Sequence, residues 1–353
     1  MSFHKDNAAY EAWLRSKCDV VARDVAEKHA RMKDSAFLFL RASYFRWAKT
    51  IPKLLPDLMD APHVLSVGDL HLENFGTWRD AEGRLVWGVN DFDEAAVMPY
   101  PLDLVRLVVS IRLAPRGPLS KQAAADAVLK GYRAGLANPR PALLDQSDIW
   151  MLRYALDADR KSKKFWREIG KLPNAKPPKK VIRALTKSLP QDAHHIQFRR
   201  RAAGGGSLGR PRYVALAQWR GGRILREAKA LVPSAWVWAH GRKAASSHFL
   251  QLATAKYRAP DPFLDTRAHF IIRRLAPDSR KIELGKKAGS AVNANLMWTM
   301  GYDVGAIHAA GAAGAAALLA DLRKRPRGWL NAAAKRATAA VVRDYEEWVG
   351  SRN

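Results

Sequence analysis

The stretch from Val64 to Ala96, VLSVGDLHLENFGTWRDAEGRLVWGVNDFDEAA, decides how the chain is to be read. It gathers Asp69, His71, Glu73, Asn74, Asp91, Asp93 and Glu94 into one short span. Val64 to Val67 reads as a short strand, Gly68 to Asn74 as a polar loop and Phe75 to Trp78 as a second strand. Asp80 to Gly83 is a turn, and Leu85 to Val89 returns from it. A hairpin hinged at residues 80–83 sets the residues before its first strand beside those after its second, because paired strands lie about 5 Å apart. Asn74 and Asp91 are therefore expected at its open end, with Asp69 facing the same point.

Two acidic groups and an amide carbonyl beyond strand ends suit a hard divalent cation such as Mg²⁺, which prefers oxygen ligands and keeps waters and phosphates in its shell. A third carboxylate there can orient a hydroxyl, and together these are the parts of a phosphoryl-transfer site. The pattern G-D-L-H-x-x-N followed by x-D-F-D resembles the catalytic loop and metal-binding segment of the protein-kinase-like superfamily, in its aminoglycoside-phosphotransferase style. Over a wider span, Phe39-Leu40-Arg41, Gly68 to Gly76, Asn90 to Glu94 and Asp103 to Leu107, the chain is similar to the uncharacterised bacterial family known as domain of unknown function 2252. The resemblance implies Asp69, Asn74 and Asp91 as catalytic residues, with Asn74, Asp91 and Asp93 on Mg²⁺. Arg41, His71 and Glu94 are expected to support them. Asp103 is expected to brace the catalytic loop through backbone hydrogen bonds, unless it merely caps its own helix.

The second informative stretch is Gly204-Gly205-Gly206-Ser207-Leu208-Gly209. A G-x-G-x-x-G run is weak alone, and a dinucleotide fold would need a helix at its third glycine. Here Arg212 to Ala217 and Ile224 to Leu231 are β-like, joined by the turn Arg220-Gly221-Gly222-Arg223. A glycine loop bridging strands is the kinase-type cover over ATP phosphates, and the resemblance makes Gly204, Gly206, Ser207, Gly209 and Lys229 nucleotide-binding residues. No Glu lies between Ala230 and Ile282 to pair with Lys229, which leaves Glu283, Glu227 or Asp265. His269 to Leu275 reads as a strand with Arg273 and Arg274 on opposite faces, Arg273 being a further phosphate candidate; Lys281 to Leu284 is its expected partner. The glycine loop comes 130 residues after Asn74 (204 − 74), the reverse of kinase order. The expected fold is thus α+β, two-lobed, kinase-like and circularly permuted.

The 353 residues carry 60 Lys and Arg against 33 Asp and Glu, a net charge of +27, so the surface should attract polyanions. Arginine-rich bacterial composition is the bland alternative. With 48% hydrophobic residues the chain is not disordered, and the lone Cys18 excludes an internal disulfide or a multi-cysteine metal site. No signal-like or membrane-spanning apolar run occurs, and a cytoplasmic location is expected.

Helices are read over residues 7–33, 34–48, 102–114, 120–136, 148–169, 293–322 and 329–349. Pro52 and Pro56 are expected to break the second. Met98 to Pro101 reads as a turn, and Gly301, Gly305, Gly311 and Gly314 should allow close helix contact. Expected domains are a helical catalytic lobe (1–159), a basic, partly extended connector (160–195), a β-rich nucleotide-covering lobe (196–290) and C-terminal helices packing on the helical lobe (291–353). The expected function is ATP- and Mg²⁺-dependent phosphoryl transfer to an unidentified acceptor hydroxyl. AMP transfer on the same scaffold and a non-catalytic nucleotide- or polyanion-binding module are the alternatives.

Overall fold

The computed structural model describes residues 2–115, 119–146, 158–241, 247–279 and 293–350. β1 (His63–Ser66) leads into the acidic loop, and β2 (Phe75–Arg79) pairs antiparallel with β3 (Leu85–Val89), Phe75 opposite Val89 and Arg79 opposite Leu85. Asp80 turns the hairpin by accepting the backbone N–H groups of Glu82 (3.0 Å) and Arg84 (2.9 Å). Of the turn expected over residues 98–101 only Tyr100 is in a turn: Met98 and Pro99 end β4 (Ala96–Pro99), antiparallel to β1, with Pro99 at the end of the ladder and Tyr100 N donating to Pro62 O, and Pro101 opens a helix. β5 (Ala142–Leu143) adds to the free edge of β3.

The first expected helix is two, α1 (Phe3–Arg15) and α2 (Ala22–Met32). The Ser16 hydroxyl folds back on Trp13 O, and Val21 N donates to distant Gly209 O, so residues between them leave the helix. The second also divides, at Ser43, into α3 (Ala36–Ala42) and α4 (Tyr44–Leu54). Pro52 lies inside α4 instead of stopping it; the break comes at Leu55 and Pro56.

α5 (Pro101–Leu113) is buried on nearly every face, α6 (Lys121–Ala137) starts at a Ser120 cap, and α13 (Trp329–Gly350) packs on α5. α6 meets α11 (Ala294–Ala309) through four glycines. A Cβ at Gly131 would lie 1.8 Å from Trp298 O, and one at Gly301 2.0 Å from Val128 O. Gly135 and Gly305 are as confined. Gly311 and Gly314 do not serve this contact: they lie where the helix breaks before α12 (Gly314–Lys324), Gly314 with φ +67°.

A second, smaller core forms under a five-stranded antiparallel sheet, ordered β6 (His194–Arg200), β7 (Arg212–Trp219), β8 (Gly222–Ala230), β10 (Phe270–Arg274), β9 (Asp265–Arg267). The β7–β8 turn needs left-handed backbone at both central residues, Arg220 (φ 46°) and Gly221 (φ 77°), and Gly221 supplies one of them without strain. Residues 160–195, expected as a basic, partly extended connector, carry most of α7 (Ala158–Gly170) and all of α8 (Lys179–Lys187), whose Ile169, Val181 and Leu185 enter the apolar clusters beside this sheet. α9 (Ala235–Ala239) and α10 (Phe249–Ala253) instead bury Trp236 and Phe249 in the larger helical core. The chain is a mixed α+β protein. The helix expected over 148–157 and the strand expected at 281–284 lie outside the described residues, among which the partners of β10 are β8 and β9. Among the described residues no helix is long and apolar enough to cross a membrane.

Candidate active site

The acidic loop is fixed from below by α5. Asp103 Oδ2 accepts Val67 N (2.7 Å) and Oδ1 accepts Gly68 N (2.9 Å), so its carboxylate serves the loop instead of its own helix end. His308 stands 3.1 Å from the same carboxylate and 2.9 Å from Tyr132 Oη, fully buried. Gly68 has φ +85°, and a Cβ there would lie 2.3 Å from Glu94 O; only glycine lets the loop pass the second acidic segment so closely. His71 Nδ1 accepts Glu73 N, starting the short turn Leu72–Asn74, and Asn90 N donates to Asn74 O at the open end of the hairpin.

Around this loop lies a cleft of about 630 Å³, open solvent at its mouth included. Asp69, His71, Asn74, Asp91, Asp93 and Glu94 line one wall, Arg41 and Tyr44 another, and Gly204 to Ser207 with Arg210 and Lys229 a third. Segments far apart in sequence thus share one cavity. A Cβ on Gly206 would stand 2.3 Å from Arg41 O and 3.5 Å from Asp69 Oδ2, so the glycine loop touches the acidic wall directly.

Cations from other segments meet the carboxylates. Arg106, buried between Tyr44 and Trp47, donates to Asp69 Oδ1 through Nε (2.9 Å) and Nη2. Lys229 Nζ contacts Asp93 Oδ2 and lies 3.3 Å from Asp91 Oδ1. Arg210 reaches Glu94 (2.6 Å), Asp93 (3.4 Å) and the Tyr10 hydroxyl (3.3 Å). Arg41 pairs with Glu73 at 2.5 Å. Burial pushes the Asp69 carboxyl above the usual range against the pull of Arg106. Burial, and after it the charge of Asp91, does the same to Asp93, and burial raises Glu94 against Arg210. The amide oxygen of Asn74 and Oδ1 of Asp93 are buried with no hydrogen-bond partner among the described residues. Such oxygens are costly unless something else binds them.

Besides Asp103, which holds the loop from below, two sequence-derived candidates fall outside the cleft lining. Gly209 (φ +96°) packs against α2, where a Cβ would lie 2.7 Å from Val25 Cγ2, and Arg273 is drawn to Glu227 (Nε 2.7 Å). Lys229 takes neither Glu227, which is shared by three arginines, nor Asp265, which pairs with Arg267; Glu283 lies outside the described residues. The partners of Lys229 are Asp91 and Asp93, just after the hairpin on the opposite wall. Arg106, Arg210, Tyr10 and Tyr44 escaped the sequence reading. Arg106 carried a signal, since a charge inside the apolar run Leu102–Ile111 has to find a partner. Among the described residues no three His, Cys, Asp or Glu side chains gather as an evident metal-binding group. Any ion here would rest on two carboxylates and one amide.

Residues 20–163 match the model of a family described as an uncharacterised protein conserved in bacteria, DUF2252. The match covers the acidic loop, the hairpin and α5, and ends before the glycine-rich segment and Lys229. No curated protein and no solved structure gives a significant match to the chain.

Proposed function

We propose that the protein is an ATP- and Mg²⁺-dependent phosphotransferase of kinase-like, circularly permuted fold, acting on an acceptor hydroxyl. The observation that carries this reading is the convergence of Asp69, Asn74, Asp91 and Asp93 with the Gly204–Ser207 loop and Lys229 on one cleft. The unsatisfied oxygens of Asn74 and Asp93 fit an oxygen-preferring cation, with Asp91 as the third ligand. Bound there, Mg²⁺ would neutralise charge on the transferring phosphoryl group. Lys229 would then exchange Asp91 and Asp93 for phosphate oxygens, and the glycine loop would offer backbone N–H groups. Asp69, oriented by Arg106, would accept the proton of the acceptor hydroxyl. Catalysis would rest on positioning and electrostatics.

The test is thermal stabilisation by ATP with and without Mg²⁺, then turnover over acceptor panels. Asp91→Ala should abolish the Mg²⁺-dependent part of the stabilisation; Asp69→Ala should keep nucleotide binding and lose turnover. Full Mg·ATP stabilisation of Asp91→Ala would sink the metal assignment. The mass of the product separates phosphoryl from AMP transfer. A non-catalytic binding role has its own support: Asp69, Asp91 and Asp93 all contact protein cations. That role predicts nucleotide or polyanion binding with no metal-dependent turnover.

A further inference from the structure

On one face of the five-stranded sheet three arginines share a single sheet carboxylate, with Asp91 and Asp93 of the facing wall, the partners of Lys229, as the other acids that act on them. Glu227 and Lys229 stand two residues apart on β8 and so share a face. Arg273 is the register partner of Glu227, and Arg212 that of Lys229, which places all four side chains on that face. Arg201, just beyond β6, reaches the same carboxylate. Glu227 Oε1 takes Arg201 Nη1, Oε2 takes Arg273 Nε (2.7 Å), and Arg212 Nη1 stands 3.4 Å and 3.5 Å from the two oxygens. One buried carboxylate thus faces three guanidinium groups. A structural ion pair would need one partner, at most two, and surplus buried cations are destabilising unless an anion joins them.

The surplus opens toward a ligand. Arg212 Nη2 donates to Ser207 Oγ (3.1 Å) and lies 3.7 Å from where a Cβ of Gly204 would be, so it touches the inner side of the glycine loop. Arg201 and Arg273 keep 28% and 21% of their side chains exposed, while Glu227 is fully buried. The acid therefore sits behind the arginines as their internal counter-ion, and the donors left over look outward. Guanidinium groups in this arrangement match phosphate oxygens, which they bind through paired N–H donors.

We propose that Arg201, Arg212 and Arg273, backed by Glu227, form an anion site beside the glycine loop that takes a phosphate group. The phosphate belongs either to the nucleotide's polyphosphate tail or to a phosphorylated acceptor. The proposal deepens the phosphotransferase reading but does not stand or fall with it. Glu227 is ionised in support of the site: burial alone would raise its carboxyl, yet Arg212, Arg273 and Arg201 pull it well below the usual range.

The test is calorimetric titration of the full chain with pyrophosphate and tripolyphosphate, for the wild type, Arg273→Gln and the more exposed Arg201→Gln. Pyrophosphate should bind the wild type, each variant should weaken it at least ten-fold, and the melting temperature without anion should hold or rise because surplus charge is removed. Absence of pyrophosphate and tripolyphosphate binding in the wild type overturns the site. So does unchanged affinity in both variants with a lowered melting temperature, which would make the cluster a structural ion network. Competition resolves the source: displacement of pyrophosphate by ATP but not by AMP assigns the nucleotide tail, and joint binding of Mg·ATP and pyrophosphate assigns the acceptor phosphate. ATP stabilisation and pyrophosphate affinity both untouched by either variant would reject this site and spare the nucleotide reading. Pyrophosphate binding that needs Arg201 and Arg273 in a protein indifferent to ATP would do the reverse.

Discussion

Lys229→Met removes the cation that the structure sets between two acids from the opposite wall. The lysine side chain is 4% exposed and that of Asp93 8%, whereas Asp91 keeps 25% of its surface in water. Deleting one partner of a buried ion pair costs about 3–5 kcal/mol, because the other charge stays buried. The accessible Asp91 places this case at the lower end, about 3 kcal/mol at pH 7.5, or a fall in melting temperature of roughly 4 °C for a chain of this size. Asp93 sets the pH dependence. Its carboxyl is already raised by burial and by Asp91, and losing Lys229 raises it further. An acid whose folded pKa exceeds its unfolded one weakens the fold where it is ionised and ceases to do so once protonated. The deficit of the variant should therefore be largest at neutral pH and shrink as pH falls through the raised Asp93 pKa. Urea unfolding of both proteins at pH 7.5 and 5.5 measures it. A second arm adds Mg²⁺, which should recover stability in the variant if Asn74, Asp91 and Asp93 bind it, by about 2.7 kcal/mol at a hundred times its Kd. A loss below about 1 kcal/mol at pH 7.5, or a deficit that grows on acidification, would refute the ion-pair argument. A deficit as predicted with no Mg²⁺ recovery would leave the pair standing and remove the metal.

Asp103→Asn should cost about 2–4 kcal/mol, because an amide keeps one acceptor oxygen and turns an NH₂ group on a buried N–H. Amide exchange at Val67 and Gly68 should quicken, and stability within about 0.5 kcal/mol of wild type would contradict the bracing role. Gly131→Ala should destabilise by about 2 kcal/mol or more despite alanine's better helix propensity, since its Cβ meets Trp298 O; unchanged urea midpoints would show that α6 and α11 can separate freely. Glu11, between Lys28 (3.1 Å) and His29 (2.6 Å), is lowered to about 2, burial opposing but His29 and Lys28 prevailing. Its contribution, about 3 kcal/mol at most, is complete above pH 4.5 and lost as pH falls toward 2. Glu11→Gln should thus lose stability at pH 7 and little at pH 2.5, and equal losses at both would refute the assignment.

The acidic wall was legible because its geometry is local. The turn at Asp80–Gly83 fixes the hairpin register, and the register fixes where Asn74 and Asp91 meet. The glycine loop was legible as a strand connection from the β-like residues after it. The partners of Lys229 and Arg210 were not, because they depend on how the two cores face each other. Lys229 pairs across the cleft with residues 138 and 136 positions earlier (229 − 91, 229 − 93), and Arg210 with Glu94. Helix ends failed where tertiary bonds outbid periodicity, as when Val21 N left its helix for Gly209 O. The regular charge pattern of residues 160–190 hid apolar positions Ile169, Val181 and Leu185, which turn that stretch into helices on the small sheet.

Charge balance ties the two halves of the cleft together. Asp93 and Glu94 come from the segment that the family match covers, yet Lys229 and Arg210, the cations that meet them, come from beyond it. Without the small sheet, two buried carboxylates beside Asp91 would repel each other in a poorly solvated pocket, and the cheapest relief would be protonation or opening of the loop. Without the acidic wall, Lys229 and Arg210 would be buried cations with no carboxylate to balance them. Each half therefore lacks a stable form of the site alone, and the arrangement of residues 67–74 and 90–94 has to form together with β7, β8 and the glycine loop. A ligand that replaces those pairings, a cation on the acids or phosphate on the lysine, works against interactions already satisfied, so either one alone gains little and the two together gain most.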